Sequence, residues 1–260
     1  MENAKIVGAK MMKKKKKGLK IVIIVIAVFM LIWMIGVRLV MWFAVRSITA
    51  DMEFNTKFFA EYDVTLEGGQ TVSHNQITMS IPDDLEWDTS VEICVTYNNA
   101  DQERGVLIMD PQDGSEIALF GEKNVAKMSE NPLTKIGYKV LRKGFEAMDK
   151  ELPDSYYTTE KAVLLLTEDD YSFLNWKQGL AYGITAILRD AWMSKSADYY
   201  LYETEELGGY MEIHTLKDGT TGAIYVFLFP KDDLDTRYPF AFRGLSLEEV
   251  YGCINSIRME

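Results

Sequence analysis

"YYLYETEELGGYMEIHTLKDGTTGAIYVFLFP", residues 199–230, is the stretch that decides the fold of this 260-residue chain. Three of its segments, "YYLYETEE", "YMEIHTLKD" and "GAIYVFLFP", alternate apolar and polar residues, as strands do when one face of a sheet is buried. The separators "LGG" and "DGTTG" are rich in glycine, which is typical of hairpin turns. The stretch therefore predicts a three-stranded antiparallel meander.

Three further strands are predicted before residue 115. Ile77, Met79 and Ile81 alternate with polar residues in "NQITMSIPDD", which ends in a proline and two aspartates. "SVEICVTYNN" repeats the alternation, and "GVLIMDPQDG" is a more continuous apolar run that ends in a turn. The "EGGQ" that precedes all three is typical of a turn. The early and late parts of the domain therefore both supply strands.

A helix is predicted over residues 131–150, because Asn131 can cap it, Pro132 fits its first position and apolar residues recur at helical spacing. Its outer side carries the basic stripe, defined as Lys135, Lys139, Arg142 and Lys143. This stripe is either a docking surface for an acidic partner or a membrane, or a solvated helix face that balances neighbouring carboxylates.

A second helix is predicted in "DDYSFLNWKQGLAYGITAILRDAWM", starting at Asp169 or Asp170. Charged and amide groups interrupt it too often for a membrane span. Gly179 and Gly183 form a G-x-x-x-G pair, which in a bilayer would indicate dimerisation. Here the pair favours a buried helix that packs closely against a sheet.

A third helix closes the chain in "LSLEEVYGCINSIRM". Ser246 and Glu249 have the spacing of a capping box. The apolar residues predicted to share one face are Leu247, Val250, Ile254 and Ile257. Strands, helices, strands and a final helix predict an α+β domain in which helices cover an antiparallel sheet.

Three of these features resemble the Mog1/PsbP-like group of α+β domains: "ITMSIPDDLEW" near the start, the meander, and the closing "LEEVYGCINSIR". Members of this group often open with a strand that runs into Ile-Pro and end on a helix that finishes in a Ser-Ile-Arg-like stretch. The resemblance implies a binding or assembly module rather than an enzyme, and it carries no catalytic residues to this chain.

An apolar segment, residues 21–46, precedes the domain and is long enough to cross a bilayer. It is much longer than the core of a cleaved leader and is followed by a poor cleavage site. Eight lysines lie in the tail, residues 1–20, which predicts a cytoplasmic N-terminus. We therefore expect a transmembrane helix at 21–46, a juxtamembrane linker at 47–70 and an extracytoplasmic domain at 71–260, in a single-pass protein of the cell membrane.

Charge divides sharply at the end of the apolar segment. The chain has 28 basic and 39 acidic residues, and ten of the basic residues but only one acidic residue precede residue 47. The remainder therefore carries a net charge of about −20. Such a surface disfavours nucleic acid and favours cationic partners or divalent ions, in a way that salt screens.

No motif for catalysis, metal binding or a cofactor stands out. His74 and His214 belong to no ligand-spaced pattern, so we expect surface or sheet-face histidines. Cys94 and Cys253 are the only cysteines, and a bridge between them is left open. We expect no catalytic, metal or cofactor residues.

Carboxylates offer two weaker candidates. Glycoside hydrolysis requires a pair of carboxylates, such as Glu168 with Asp170. The domain has so many acidic residues that the sequence does not single out one pair. Asp232, Asp233 and Asp235 would suit calcium, but their loop lacks the spacing of a calcium-binding loop and is typical of a solvated acidic turn.

The sequence thus favours a membrane-anchored binding or assembly module that contacts the bilayer through residues 21–46 and a protein partner in the cell envelope. Two alternatives remain open. One is an envelope hydrolase that uses carboxylates. The other is a membrane-complex subunit that acts through its span, where Arg38 either pairs with another helix or extends outward to the interface.

Overall fold

The computed structural model describes residues 30–32, 34–50, 56–58, 64–66, 68–216 and 219–259. The predicted basic tail and the first part of the predicted span, residues 21–29, lie outside these ranges. The chain divides into two compact units, Met1–Ala50 and Asp51–Glu260.

The first unit contains helix α1, Met30–Thr49. Its 20 residues have a mean hydropathy of 1.7, and the helix is long and apolar enough to cross a membrane, a property it shares with signal sequences. Near its end, the guanidinium carbon of Arg46 lies 5.6 Å from the centroid of the Trp42 ring. A cation paired with tryptophan is common at a membrane–water interface.

The second unit is an α+β domain, as predicted. Its described strands are β1 (Lys57–Phe58), β2 (Gly69–His74), β3 (Ile77–Pro82), β4 (Glu86–Val91), β5 (Cys94–Asn98), β6 (Gly105–Met109), β7 (Gln112–Asp113), β8 (Ala197–Glu203), β9 (Leu207–Thr215), β10 (Thr221–Pro230), β11 (Thr236–Arg243) and β12 (Arg258–Met259). The described helices are α2 (Glu122–Ser129), α3 (Pro132–Ala147), α4 (Tyr156–Leu164), α5 (Trp176–Trp192) and α6 (Leu247–Asn255).

Most strands join one large sheet, in the order β1-β8-β9-β10-β11-β6-β5-β4, with β7 also paired to β11. The pair β1–β8 is parallel, and the other pairs of this sheet are antiparallel. A second sheet has the order β12-β3-β2. The large, mostly antiparallel sheet with packed helices confirms the predicted fold class.

The predicted meander is present as β8, β9 and β10, and it continues into β11, which was not predicted. Tyr225 of β10 pairs with Glu212 on one side and Ala241 on the other. The interpretation of "LGG" as a turn was wrong, because these residues begin β9. A Cβ at Gly209 would lie 2.2 Å from the Phe227 carbonyl oxygen, so this glycine permits close approach of β10 instead.

The segment "SVEICVTYNN" was wrongly predicted as one strand. It contains the end of β4, a turn at Glu92 and Ile93, and β5, with Val91 paired to Cys94. Neither turn residue is glycine, proline, asparagine or aspartate, so the sequence lacks the usual signal. Ile93 is 68% exposed at the tip of this hairpin.

The small sheet begins with β2, which was not predicted and which includes the last two residues of the "EGGQ" assigned to a turn. A two-residue turn joins β2 to β3, and both of its residues, Asn75 and Gln76, have positive φ (46° and 66°). Turns of this kind match the twist of paired strands. At the other edge β12 pairs with β3, so the chain end returns to an early strand.

Helix α6 has the predicted capping box. The hydroxyl of Ser246 accepts a hydrogen bond from the Glu249 amide at 3.2 Å, and the Glu249 carboxylate accepts one from the Ser246 amide at 2.8 Å. Val250 and Ile254 are buried as expected, whereas Leu247 is exposed. The apolar face therefore starts one turn later than predicted.

Helix α3 starts as predicted, since the Asn131 side chain accepts a hydrogen bond from the Leu133 amide at 2.9 Å. Its predicted apolar side is buried only in part, because Leu133 and Ile136 are exposed. Helix α5 does not begin at Asp169 or Asp170. It starts at Trp176, and Asn175 caps it. Helices α2 and α4 were not predicted.

Close packing between two helices is found at Gly144 and not at Gly179 of the predicted pair. A Cβ at Gly144 of α3 would lie 2.3 Å from the carbonyl oxygen of Lys177 in α5. For Gly179 the nearest such contact is the Ser172 carbonyl oxygen at 3.4 Å, which is an ordinary distance. The close approach is thus between α3 and α5.

Two hydrophobic clusters lie on opposite faces of the large sheet. Strand β10 shows this directly, because Val226 and Leu228 belong to one cluster and Phe229, of opposite parity, belongs to the other. The first cluster also contains residues of the small sheet and α6, and the second contains residues of α4 and the α5–β8 connection. The large sheet is therefore the middle layer.

Candidate functional site

An open cleft of about 470 Å³ lies where the turn after β3 meets the start of α6. Its charged lining consists of Asp83, Asp84, Arg104, Glu248 and Glu249. Four carboxylates and one guanidinium give this lining a formal charge of −3. The cleft therefore carries the same sign of charge as the domain as a whole.

Local structure fixes both acidic pairs. Pro82 ends β3, and the Leu85 amide donates to the Pro82 carbonyl at 3.2 Å, which places Asp83 and Asp84 in a turn. Glu248 and Glu249 occupy the first turn of α6, where the helix dipole favours negative charge. The cleft thus forms between a strand end and a helix start.

Arg104 connects the two sides of the cleft. Its Nη1 donates to Asp84 Oδ2 at 2.5 Å, and its Nη2 donates to Glu249 Oε1. The Arg104 amide donates to the Asn99 side chain at 2.9 Å, which anchors the residue in the β5–β6 turn. A planar guanidinium that contacts two carboxylates holds three chain segments together.

The other two carboxylates remain available. Among the residues that the structure describes, neither Asp83 nor Glu248 forms an ion pair. The cleft therefore presents uncompensated negative charge beside a fixed guanidinium. Such a lining is complementary to a cationic group.

A hollow of about 250 Å³ adjoins the cleft and shares Asp84 with it. Its lining also includes Glu86, Trp87 and Asp88. Trp87 is 64% exposed, which is unusual for so large an apolar side chain. Carboxylates and the face of an indole ring both attract cations electrostatically, so this lining suits an ammonium or guanidinium group.

The two predicted histidines have carboxylate neighbours outside the cleft lining. His74 Nε2 lies 3.0 Å from Asp110 Oδ1. His214 Nε2 lies 2.8 Å from Glu212 Oε1, and Glu212 also accepts a hydrogen bond from the Tyr199 hydroxyl at 3.1 Å. His214 lies on the face of the large sheet, in contact with the Tyr225 ring.

The predicted acidic candidates stabilise local structure. Asp170 forms an ion pair with Lys150 at 3.2 Å and accepts a hydrogen bond from the Thr167 amide at 2.7 Å. Asp235 accepts one from the Tyr156 amide at 2.9 Å, at the start of α4. Within the described ranges, no three His, Cys, Asp or Glu side chains are arranged to hold a metal ion.

The remaining candidates are Asp232, Asp233 and Glu168, with the two cysteines. Asp233 accepts a hydrogen bond from the Asp235 amide at 3.3 Å, and Asp232 and Glu168 are exposed. Cys94 and Cys253 are both free thiols, so the bridge left open by the sequence is not formed. Burial, with a smaller effect of the Glu249 charge, raises the pKa of Cys253 to about 12.

A buried ionisable cluster escaped sequence analysis. Glu160 of α4 is 3% exposed, and its Oε1 accepts a hydrogen bond from Arg237 Nη1 at 2.9 Å. The Arg237 guanidinium lies 4.9 Å from the Tyr156 ring centroid and 4.8 Å from that of Phe227. No sequence signal points to this cluster, because it joins an unpredicted helix to an unpredicted strand.

Burial raises the pKa of Glu160 to about 7, and the charge of Arg237 and the hydroxyls of Tyr210 and Tyr156 lower it only in part. The second oxygen of the carboxylate, Oε2, has no well-oriented hydrogen-bond partner among the described residues. The cluster lies apart from the cleft lining, so we interpret it as a structural element that responds to pH.

Comparisons with known proteins do not assign the chain to a family. No protein-family model matches the chain, and no curated protein matches it. One solved structure with some similarity is a crystal structure from Bacteroides thetaiotaomicron VPI-5482 at 1.50 Å resolution, with 11% sequence identity and a TM-score of 0.33. The match covers 75% of this chain and 49% of that one, so this chain spans about half the length of its neighbour.

Proposed function

We propose that the chain is a single-pass membrane protein, with a cytoplasmic N-terminus and an extracytoplasmic α+β domain that binds a cationic segment of a protein partner in the cell envelope. The observation that supports binding is the cleft of about 470 Å³ in which Asp83 and Glu248 lack ion-pair partners among the described residues. Removing a cationic group from water is least costly where such carboxylates are fixed in place.

The proposed topology draws on the apolar helix α1 and on the lysine-rich sequence before it. Protease added to intact cells should digest the domain and spare the N-terminal tail. A domain that resists digestion on intact cells, but not on broken ones, would overturn the proposed orientation.

The Mog1/PsbP-like resemblance remains part of this proposal. Two features that carry it, the strand ending in Ile81-Pro82 and the closing helix, lie in one hydrophobic cluster, since Ile81 and Val250 both belong to it. Membership in that group would favour a binding or assembly role over catalysis.

Binding in the cleft is tested with a defined probe. Intact chain in nanodiscs of zwitterionic lipid is titrated with a fluorescent octalysine peptide, and anisotropy is measured at low and high salt. The double variant Asp83→Asn/Glu248→Gln removes two carboxylates from the cleft. Asp232→Asn/Glu205→Gln is the matched control, because it makes the same charge change at exposed positions outside the cleft lining.

We expect the cleft variant to weaken binding roughly tenfold, since each ion pair contributes about 0.2–1 kcal/mol. The control should weaken it much less, and high salt should weaken binding for every variant. Equal affinities for the cleft variant and the control would show that the probe senses only overall charge, and the cleft proposal would then be wrong.

A carboxylate-dependent envelope hydrolase is the second candidate. Its basis is that the cleft brings two carboxylates, Asp84 and Glu249, together, and glycoside hydrolysis requires a pair of carboxylates. The intact chain is incubated with cell-wall glycans and peptides, and products are compared with those from Glu249→Gln. Turnover that Glu249→Gln abolishes would support the hydrolase over the binding module.

The third candidate is a membrane-complex subunit that acts through its span. Its basis is Arg38, the one ionisable residue in the apolar segment before Arg46. Replacing the span by an unrelated leucine-rich helix should preserve function in a binding module and abolish it in such a subunit.

A further inference from the structure

The N-terminal half of α3 exposes apolar side chains that no other part of the described domain covers. Leu133 is 77% exposed and Ile136 is 59% exposed. A Cβ added at Gly137 would meet no atom within 4 Å. By contrast, Gly144 and Phe145 in the C-terminal half are buried. The helix therefore buries residues of its second half, while Leu133 and Ile136 in its first half stay exposed beside Tyr138, which packs on Phe120.

The basic stripe lies beside these apolar residues. Ile136, Lys139 and Lys143 are spaced by three and four positions, so they share one side of the helix. Within α3 the only acidic residue is Glu146, which pairs with Arg142 at 3.3 Å. Lys135, Lys139 and Lys143 form no ion pair with any described residue.

This arrangement is exceptional on a domain with a net charge of about −20. Acidic residues elsewhere repel an anionic surface, so the stripe sets the orientation in which the domain could approach one. Lysines beside exposed leucine and isoleucine are the pattern of helices that lie in a membrane interface. Their long side chains can reach lipid phosphates while the apolar residues enter the boundary with the acyl chains.

We propose that the N-terminal half of α3 is a docking surface for an anionic lipid bilayer, with Leu133 and Ile136 inserted and the three unpaired lysines on lipid phosphates. A bilayer fits better than an acidic protein, because inserting two isolated apolar side chains into lipid requires no complementary groove. The proposal uses the proposed anchoring only to bring a bilayer within reach of the domain.

The test places a nitroxide at Leu133→Cys in the full chain and measures its accessibility to oxygen and to a water-soluble relaxant. Cys94→Ser provides the background, since Cys253 is fully buried. The control label is at Ile93→Cys, a similarly exposed apolar position at the β4–β5 turn. Vesicles contain phosphatidylcholine alone or equal parts of phosphatidylcholine and phosphatidylglycerol, and flotation reports whether the chain is bound to them.

We expect the chain to float with both kinds of vesicle, and the label at 133 to gain oxygen accessibility severalfold only with phosphatidylglycerol. Lys135→Gln, Lys139→Gln and Lys143→Gln should each weaken this docking roughly fivefold, in line with the usual effect of one basic residue near an anionic membrane. Lys123→Gln, Lys195→Gln and Lys231→Gln are charge-matched controls that should leave it unchanged.

The other outcomes separate the two proposals. If the chain floats with both vesicles but the label at 133 stays in water, the docking surface is wrong and an acidic protein partner becomes the better interpretation, while the anchor stands. If it floats only with anionic vesicles and the label is immersed, docking stands and the anchor fails. If it floats with neither, both are overturned.

Discussion

Oε1 of Glu160 accepts a hydrogen bond from Nη1 of Arg237 at 2.9 Å, and yet burial raises the pKa of this carboxyl group to about 7. The ordinary value for a glutamate is 4.5. The folded protein therefore retains a proton that the unfolded chain releases between these two pH values. By linkage, the contribution of Glu160 to stability falls as pH rises through this window and is constant above it.

We therefore predict that Glu160→Gln flattens the loss of stability between pH 4.5 and 7, which urea titrations at several pH values would measure. Glutamine cannot ionise, so the free energy of unfolding of the variant, relative to that of the original chain, should be highest at pH 7 and above. Glu205→Gln, at an exposed position, should leave the slope unchanged. An unaltered slope in Glu160→Gln would mean that the group titrates normally in the fold.

Replacing Arg189 should destabilise the domain strongly. Its Nη1 donates to the carbonyls of Val163 and Leu164, at 2.8 and 2.9 Å, in the last turn of α4. Arg189→Met would leave these buried carbonyls without their charged donor, at a cost of about 3 kcal/mol in the free energy of unfolding. Arg142→Met, on the exposed side of α3, should change it by less than about 0.5 kcal/mol. Small and similar losses in the free energy of unfolding for both variants would show that Arg189 does not stabilise the end of α4 through these carbonyls.

Two glycines of α3 should respond in opposite ways to the same substitution. Gly144→Ala would bring a Cβ within 2.3 Å of the Lys177 carbonyl and 2.8 Å of the Ala181 Cβ, so α3 and α5 must separate. We expect a loss of about 1–3 kcal/mol. Gly137→Ala meets open space and should stabilise the helix by about 0.5–1 kcal/mol. Thermal unfolding would measure the melting temperature of each variant. If both melting temperatures shifted in the same direction, the packing around one of the two glycines would differ from that described.

Arg104→Gln should separate the structural and binding roles of the cleft. It removes the cation between Asp84 and Glu249, so we expect stability to fall by about 1 kcal/mol, because these partly exposed pairs are screened by solvent. Affinity for the octalysine probe should rise, since all four carboxylates then face the ligand. Weaker probe binding despite a folded domain would indicate that Arg104 itself positions the carboxylates for the ligand.

Local signals in the sequence were sufficient for several elements. The Asn131-Pro132 start of α3 and the Ser246–Glu249 capping box of α6 appear where expected. These features depend on neighbouring residues alone. The meander was also predicted from alternation, which indicates a sheet with one buried face, although hydrophobic clusters cover both faces of these strands.

Contacts between distant residues explain what was missed. Gly209 looked like a turn residue because its partner, the Phe227 carbonyl, lies 18 positions away. Arg104 gave no sign of a site, since its carboxylates come from residues 84 and 249. The cleft is therefore a product of the way two turns and a helix start meet, and single-sequence patterns do not contain that information.

Strand β1 has a mechanical consequence under the proposed N-terminal anchoring. It is two residues long and pairs with β8 through Lys57 and Phe58, at one end of the large sheet. Tension applied through the preceding chain would load this short pair first, along with the hydrogen bond from Thr56 to the Leu164 carbonyl. The ten-residue β10 lies three strands from β1 in the sheet order. Under tension β1 would therefore detach first, while the strands at the centre of the domain stay paired.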